Sequence, residues 1–336
     1  MQRLFHTPEG VRDIYNNECA QKLYLQNKLH RVFENYHYQD IETPTFEYFE
    51  VFNEEVGTTS SKDLYKFFDR EGNTLVLRPD FTPSIARAAA MYFEEKDMPV
   101  RLCYQGNTFV NNSSYQGRLK ESTQMGVEFI GDSAVEADVE VLSMAIEMMM
   151  AAGLQEFQFS IGQVDFFKAL IEESKMNEET IENLRTLISN KNIFGVEELL
   201  DRMSLREGLK EAFLQLPELF GGVEVLDRAR ALANNGKARD AIRRLRQIYD
   251  LLEQKGYAKY ISFDFGMLSK YEYYTGIIFQ AYTYGTGEPV AKGGRYDNLM
   301  EHFGKPEPAV GFGVTMDQLM IALSRQNIQI DPKEGR

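Results

Sequence analysis

The chain has 336 residues, of which 43% are apolar and 26% charged, so it is long and apolar enough for a packed globular core. Its formal net charge of −14, from 37 basic and 51 acidic residues, argues against non-specific attraction to nucleic acid as the main source of affinity. No apolar run reaches membrane-spanning length and no secretory signal opens the chain, so we expect no membrane partner and a cytoplasmic location. The cysteines and histidines are scattered without ligand spacing, and we expect no disulfide, metal site or cofactor; they are Cys19, Cys103, His6, His30, His37 and His302.

The first predicted elements are an amphipathic helix and a short strand. Over Glu18–Tyr36, leucine, valine and phenylalanine recur at helical spacing with charged residues between them. A strand follows around Ile41, and Pro44 ends its pairing because proline has no backbone N–H to donate. A helix followed by an edge strand is common, so this pattern alone does not identify a family.

A second strand and helix flank a polar turn. Residues Thr74–Leu77 predict a strand, and an alanine-rich helix is predicted over Ile85–Met91. Between them, Asp80 and Thr82 allow two interpretations, because these residue types commonly cap helices and also bind ligands. The spacing leaves both interpretations open.

The stretch Arg101–Gly131 predicts two antiparallel strands joined by a long loop. An alternating apolar run enters a polar, turn-forming segment at residues 107–116, and a second apolar run returns over Met125–Ile130. Such a hairpin places the polar loop at one end of a sheet, where it is available for binding.

The second half of the chain changes from sheet to helix and back. A methionine-rich helix is predicted over Ala134–Ala152, followed by a strand over Gln155–Val164. Residues Asp165–Tyr257 have helical periodicity without strand-like runs, which predicts an inserted helical domain. The sheet is expected to resume at Ile261–Phe265 and to end with a strand, turn and helix at residues 308–319.

Several of these segments resemble the class II aminoacyl-tRNA synthetases, and most closely the histidyl-type enzymes. The hairpin resembles motif 2 with the Gln-x-Gly-Val-Glu ending of the histidyl enzymes, the first helix and strand resemble motif 1, and residues 308–319 resemble motif 3. Residues 268–279 and the Gly-Gly-Arg-Tyr-Asp run at 293–297 resemble two histidyl-type blocks. The resemblance implies an α+β fold, with a class II synthetase-like antiparallel sheet flanked by helices.

The same resemblance implies a histidine pocket but not nucleotide chemistry. By position in the motifs, the histidine-binding residues would be Asp80, Thr82, Gln124, Glu128, Tyr273 and Tyr274. The cations that synthetases direct at ATP are replaced by Val110, Ser269 and Gln318, and an aliphatic or neutral side chain does not replace a charge-assisted phosphate contact. We therefore expect no catalytic residues and no adenylation.

With histidine-binding positions retained and the ATP-binding cations replaced, the sequence resembles the regulatory subunits of ATP phosphoribosyltransferase. That family is a paralogue of histidyl-tRNA synthetase. That family implies a hetero-octamer with the short-form catalytic subunit, activation of that partner at the first step of histidine biosynthesis, and feedback inhibition by L-histidine. It further implies dimerisation through the motif 1 region, no tRNA ligand and no anticodon-binding domain. The expected domains are residues 1–164 and 258–336 for the two parts of the synthetase-like core, and 165–257 for the helical insertion.

Two other functions remain open on the sequence. The first is a truncated class II ligase that activates histidine without tRNA, which would need a replacement cation such as Lys270 or Arg118. The second is an RNA-binding or kinase-associated synthetase-like domain, which the acidic charge makes less expected.

Overall fold

The computed structural model describes residues 5–53, 59–112, 119–268 and 274–333. In these ranges the helices are α1 (Asn16–Asn35), α2 (Thr82–Tyr92), α3 (Val135–Ala152), α4 (Val164–Ser174), α5 (Glu178–Ser189), α6 (Ile193–Asp201), α7 (Glu207–Gln215), α8 (Glu224–Leu232), α9 (Gly236–Gln254) and α10 (Met316–Arg325). The strands are β1 (Gln39–Asp40), β2 (Phe46–Tyr48), β3 (Lys66–Phe68), β4 (Thr74–Leu77), β5 (Val100–Phe109), β6 (Glu121–Ile130), β7 (Phe157–Gln163), β8 (Phe220–Gly221), β9 (Ile261–Asp264), β10 (Ile277–Thr283), β11 (Ala291–Arg295) and β12 (Ala309–Thr315).

Nine of these strands form one sheet in the order β1-β5-β6-β12-β11-β10-β7-β9-β8. Neighbours in it pair antiparallel except β1 with β5 and β7 with β9, which are parallel. The predicted hairpin is confirmed, because β5 and β6 pair over their whole length from Val100↔Ile130 to Phe109↔Glu121. The expected antiparallel sheet is thus a mixed sheet, with one parallel pair towards each end.

A separate small sheet lies beside the large one. It has the order β2-β4-β3, with both pairs antiparallel. The strand predicted at Thr74–Leu77 is its central strand, β4. Arg87 connects α2 to this sheet, because its guanidinium donates to Glu47 of β2 at 2.8 Å.

The main apolar core covers one face of the large sheet. Because alternate residues of a strand share a face, Met125, Val127 and Phe129 of β6 all point into this core. The buried side of α3 packs in the same core. The helices α4 to α9 contribute to the same continuous cluster, for example through Leu184 and Leu245. The helical segment therefore shares its core with the sheet.

The region predicted to be helical also contributes a strand. Phe220 and Gly221 form β8, which pairs with Asp264 and Phe263 at the edge of the large sheet. A two-residue strand is too short to give an alternating pattern, so the sequence offered no signal for it. Among the described helices, none is both long enough and apolar enough to cross a membrane.

Candidate ligand-binding site

The opposite face of the large sheet carries a cavity of about 750 Å³. On β6, Gln124 and Glu128 point into it because alternate residues of a strand share a face. Five of the six residues expected to bind histidine line this cavity: Asp80, Thr82, Gln124, Glu128 and Tyr274. The sixth, Tyr273, lies outside the described residues.

Glycines on the neighbouring strand β12 make room for these two side chains. A Cβ atom on Gly311 would lie 1.8 Å from Glu128 Oε2, and one on Gly313 would lie 1.9 Å from Gln124 Nε2. Both separations are far below contact distance, so any larger residue would displace the polar side chain. The glycines thus let two long polar side chains lie flat across the sheet.

Glu128 is the most deeply buried acid of the cavity, with only 1% of its surface exposed. Thr82 Oγ1 donates to its Oε1 at 2.6 Å, and the Tyr296 hydroxyl donates to its Oε2. Burial raises the pKa of Glu128 to about 8, against the lowering effect of the two hydroxyl hydrogen bonds, and the nearby charge of Asp80 adds to the rise. At neutral pH this carboxyl is therefore largely protonated.

Asp80 and Thr82 flank the N-terminal boundary of α2. The N-cap position is Phe81, whose own side chain makes no capping hydrogen bond. Asp80 Oδ1 accepts from the backbone N–H of Phe81 at 2.7 Å, while the Thr82 hydroxyl is directed to Glu128. Both residues line the cavity, as the ligand-binding interpretation expects.

Arg78 fixes the turn that carries Asp80 and Thr82. Its Nε donates to the Asn107 carbonyl and its Nη1 to the Thr43 carbonyl, both at 2.8 Å. Its guanidinium lies 4.1 Å from the centre of the Phe81 ring. The Phe81 ring in turn stacks on the ring of Tyr104, with 4.4 Å between the ring centres. Buried and tied to two carbonyls, this arginine is a structural anchor of the turn.

Two tyrosines complete the cavity wall and were not predicted from the sequence. Tyr104 accepts a hydrogen bond from Gln124 Nε2 at 3.2 Å, and burial raises the pKa of Tyr104 well above its usual value. Tyr296 binds Glu128 through its hydroxyl. Alternation along β5 could have identified Tyr104, and Tyr296 belongs to the Gly-Gly-Arg-Tyr-Asp run already noted.

The same cavity contains positions where synthetase cations were expected to be replaced. Val110 and Gln318 both line the cavity, so two of the three replacements share it with the expected histidine-binding residues. Ser269 lies outside the described residues, as do the proposed substitutes Lys270 and Arg118. Two cationic side chains that the sequence did not single out also line the cavity, namely Lys292 and Arg325.

A buried ionic network joins the cavity wall to the helical segment. Asp138 of α3, fully buried, accepts from Arg295 at the end of β11 and from Arg244 of α9. Lys168 of α4 donates to the backbone carbonyl of Tyr274 at 2.8 Å. Because Arg295 directly precedes Tyr296, the helical segment is in contact with the same wall that holds Glu128.

The family model of histidyl-tRNA synthetase matches residues 10–319. A histidyl-tRNA synthetase from Nostoc has the same fold with a TM-score of 0.80 at 20% identity, covering 98% of this chain and 78% of that one. Fold and cavity thus define a class II, histidyl-tRNA synthetase-like protein.

Relatives of higher sequence identity identify the family within this class. The ATP phosphoribosyltransferase regulatory subunit of Acetivibrio thermocellus is 44% identical over 97% of this chain and 78% of the relative, and that of Ruminiclostridium cellulolyticum is 41% identical over 95% and 76%. A crystal structure from Bacillus halodurans, described as an ATP phosphoribosyltransferase regulatory subunit/histidyl-tRNA synthetase, superposes with a TM-score of 0.89 at 36% identity, covering 95% of this chain and 83% of that one. The chain belongs to the family of ATP phosphoribosyltransferase regulatory subunits.

Proposed function

We propose that this chain is a non-catalytic subunit that activates the separate, short-form catalytic subunit of ATP phosphoribosyltransferase and makes it sensitive to L-histidine. One observation supports the proposal: a single cavity is lined both by polar groups suited to holding an amino acid and by uncharged residues at two positions where the motif resemblance implies a cation in synthetases. Asp80, Thr82 and Glu128 represent the first kind, and Val110 and Gln318 the second. A protein that holds the amino acid without activating it is suited to sensing it.

In this proposal the histidine ammonium lies against Asp80 and Thr82, and Glu128 and Gln124 orient its imidazole and carboxylate. Tyr274 closes one side of the pocket, and Tyr273 is proposed to assist it. A largely protonated Glu128 can both donate and accept a hydrogen bond, which suits an imidazole in either tautomer. Histidine would regulate the partner only through different affinities for the active and inhibited states.

The proposed setting is the first step of histidine biosynthesis, a glycosyltransferase reaction, in the cytoplasm. The chain would form a dimer through the motif 1 region, which includes α1 and β1, within a hetero-octamer with the catalytic subunit. We propose that the core is divided as 1–164 and 258–336, with 165–257 inserted. The net charge of −14 supports a role without tRNA.

The decisive experiment is reconstitution with a short-form catalytic subunit. Adding this chain should raise the rate of phosphoribosyl transfer, and histidine should then lower it. An unchanged rate on mixing the two proteins would refute the regulatory role. Histidine that leaves the activated rate unchanged would refute the sensing role while leaving activation intact.

Calorimetry on the isolated chain tests the pocket itself. Asp80→Ala should weaken histidine binding at least tenfold, because an ammonium-to-carboxylate hydrogen bond contributes about 1.5–3 kcal/mol. The matched control is Asp250→Ala, an exposed acid on α9. Equal affinity in the Asp80 variant and the wild-type chain would place the histidine site elsewhere.

The alternative function is histidine activation without tRNA, and the cavity offers a specific reason to test it. Lys292 and Arg325 line the cavity, although Arg325 Nη1 already donates to the Gly285 carbonyl at 2.8 Å. Histidine-dependent exchange of pyrophosphate into ATP would support this alternative. Loss of exchange in Lys292→Ala would identify the substitute cation.

A further inference from the structure

A cluster of three different metal-ligand types lies away from the cavity, between α1 and the edge of the large sheet. His30 comes from α1, Asp40 from β1 and Cys103 from β5, and their ligand atoms all lie within 4.8 Å of one another. His30 Nε2 is 2.8 Å from Asp40 Oδ1, and Cys103 Sγ is 3.5 Å from the same oxygen. Two consecutive elements, α1 and β1, thus converge with the more distant strand β5 on one point.

The sheet register explains why two of these side chains meet. In the parallel pair of β1 and β5, Asp40 is the direct partner of Cys103, so their side chains leave the sheet on the same face. The helix α1 packs on that face through Leu29 and Phe33, which belong to the main core. His30 follows Leu29 and is therefore held at the border between core and solvent.

The donor set is one that zinc prefers. Zinc binds imidazole nitrogen, thiolate sulfur and carboxylate oxygen in tetrahedral geometry, whereas calcium and magnesium select oxygen ligands. Ideal zinc bond lengths place neighbouring nitrogen and oxygen ligands about 3.4 Å apart and sulfur and oxygen ligands about 3.6 Å apart. The Cys103–Asp40 separation already fits this geometry, the His30–Asp40 distance would lengthen by about half an ångström, and the His30–Cys103 separation lies within 4.8 Å.

The carboxylate of Glu34 lies beside His30, on the side of the ring that does not face Asp40. His30 Nδ1, the nitrogen that does not face Asp40, lies 3.6 Å from Glu34 Oε1 one turn along α1. In metal sites the second ring nitrogen of a ligating histidine usually donates to a carboxylate, which fixes the tautomer and ring orientation. Glu34 is placed to do this for His30.

We propose that His30, Asp40 and Cys103 bind one zinc-class divalent cation per chain, with the fourth tetrahedral position open to water. On binding, the thiol of Cys103 releases its proton to solvent and its sulfur bonds to the metal. The two negative charges of the thiolate and Asp40 then balance the charge of the ion. In the single chain the side chain of Asp40 is 74% exposed and that of His30 is 28% exposed.

A bound cation would have to displace the proton that the Cys103 thiol holds in its absence. Burial, together with the charge of Asp40, raises the pKa of Cys103 to about 12, so the sulfur keeps its proton at neutral pH. A bound divalent cation reverses that preference, because a coordinating thiol is deprotonated outright.

Cobalt(II) is the probe, because it replaces zinc in tetrahedral sites and gives a sulfur-to-metal charge-transfer band when bound by thiolate. Chelator-treated full-length protein is titrated with cobalt(II), and the bound ion is then displaced with zinc(II). We expect the band at one cobalt per chain and its loss on adding zinc. The band should be absent in Cys103→Ser and unchanged in Cys19→Ser, which removes the other cysteine.

If Cys103→Ser disturbs folding, variants of the other two proposed ligands still test metal binding. Asp40→Asn and His30→Gln alter partly exposed side chains and should each weaken cobalt binding at least tenfold, whereas the exposed His37→Gln should not. Glu34→Gln should weaken it by about tenfold, the usual effect of removing an outer partner. No thiolate band in the wild-type chain, or equal affinity in the Asp40 and His30 variants, would show a hydrogen-bonded cluster only and overturn the proposal.

Discussion

Replacing Glu128 with glutamine should remove the part of the pH dependence of the free energy of unfolding that comes from this buried carboxyl. Burial raises the pKa of Glu128 from 4.5 to about 8, so the folded protein retains this proton over a pH range in which the unfolded chain has lost it. The resulting stabilisation is complete below pH 4.5 and is lost as the pH rises through about 8. Glutamine has the same shape as the protonated acid and cannot ionise.

The size of the effect follows from linkage. One unit of pKa difference corresponds to about 1.4 kcal/mol, and most of the ionisation of Glu128 in the folded protein falls between pH 7 and pH 9. Over this interval the wild-type chain should lose roughly 1 kcal/mol of stability through this group alone. The Glu128→Gln chain should not lose that part, since all other titrating groups are common to both.

The assay is urea denaturation of both chains at pH 7 and pH 9, compared as the free energy of unfolding. The gap between variant and wild type should widen in favour of the variant by roughly 1 kcal/mol at the higher pH. The control is Glu136→Gln, an exposed acid at the start of α3, for which the gap should stay constant. A constant gap for Glu128→Gln as well would show that burial does not keep this carboxyl protonated.

Three further substitutions test the supports of the cavity. Arg78→Met leaves two buried backbone carbonyls without their donor and should reduce the free energy of unfolding by about 2–4 kcal/mol, measured by urea denaturation. Arg244→Gln weakens the bond to buried Asp138 and should cost about 1–3 kcal/mol, with faster amide hydrogen exchange in α9. Gly311→Ala places a Cβ 1.8 Å from Glu128 Oε2 and should abolish histidine binding by calorimetry while costing about 1–3 kcal/mol of stability.

Matched changes separate these effects from general loss of folding. Gly236→Ala is the control for the glycine, because nothing lies within 4 Å of a Cβ built there. Arg202→Gln removes an exposed ion pair within α6 and should cost under about 1 kcal/mol. If it destabilised the chain as much as Arg244→Gln, the buried network would have no special role.

The sequence was informative wherever local pattern decides structure. The hairpin of β5 and β6, the strand Thr74–Leu77 and the helix α3 all follow from periodicity, and the structure confirms them. The spacing Gln124-x-x-x-Glu128 also puts both side chains on one face, because a strand repeats every two residues. Motif resemblance supplied the rest of the predicted site.

What the sequence missed depends on contacts between distant segments. The direction of the Thr82 hydroxyl could not be predicted locally, because its partner Glu128 lies 46 residues along the chain. Tyr296 was in a recognised motif, yet its role rests on a hydroxyl that reaches the same acid across β12, the strand between β11 and β6. Scattered histidines and cysteines gave no ligand spacing, because the register of a parallel strand pair, rather than sequence distance, brings Cys103 beside Asp40.

The strands β7 and β9 are hydrogen-bonded parallel neighbours, yet all of the chain between Gln163 and Ile261, including α4 to α9, separates them. The entropy of closing a loop rises only with the logarithm of its length, so a connection of roughly 100 residues costs about 2 kcal/mol more than one of about 10. Lengthening or shortening this crossover therefore changes the cost of joining the two strands very little. Insertions or deletions in the loops between these helices should therefore leave the pairing of β7 with β9 intact.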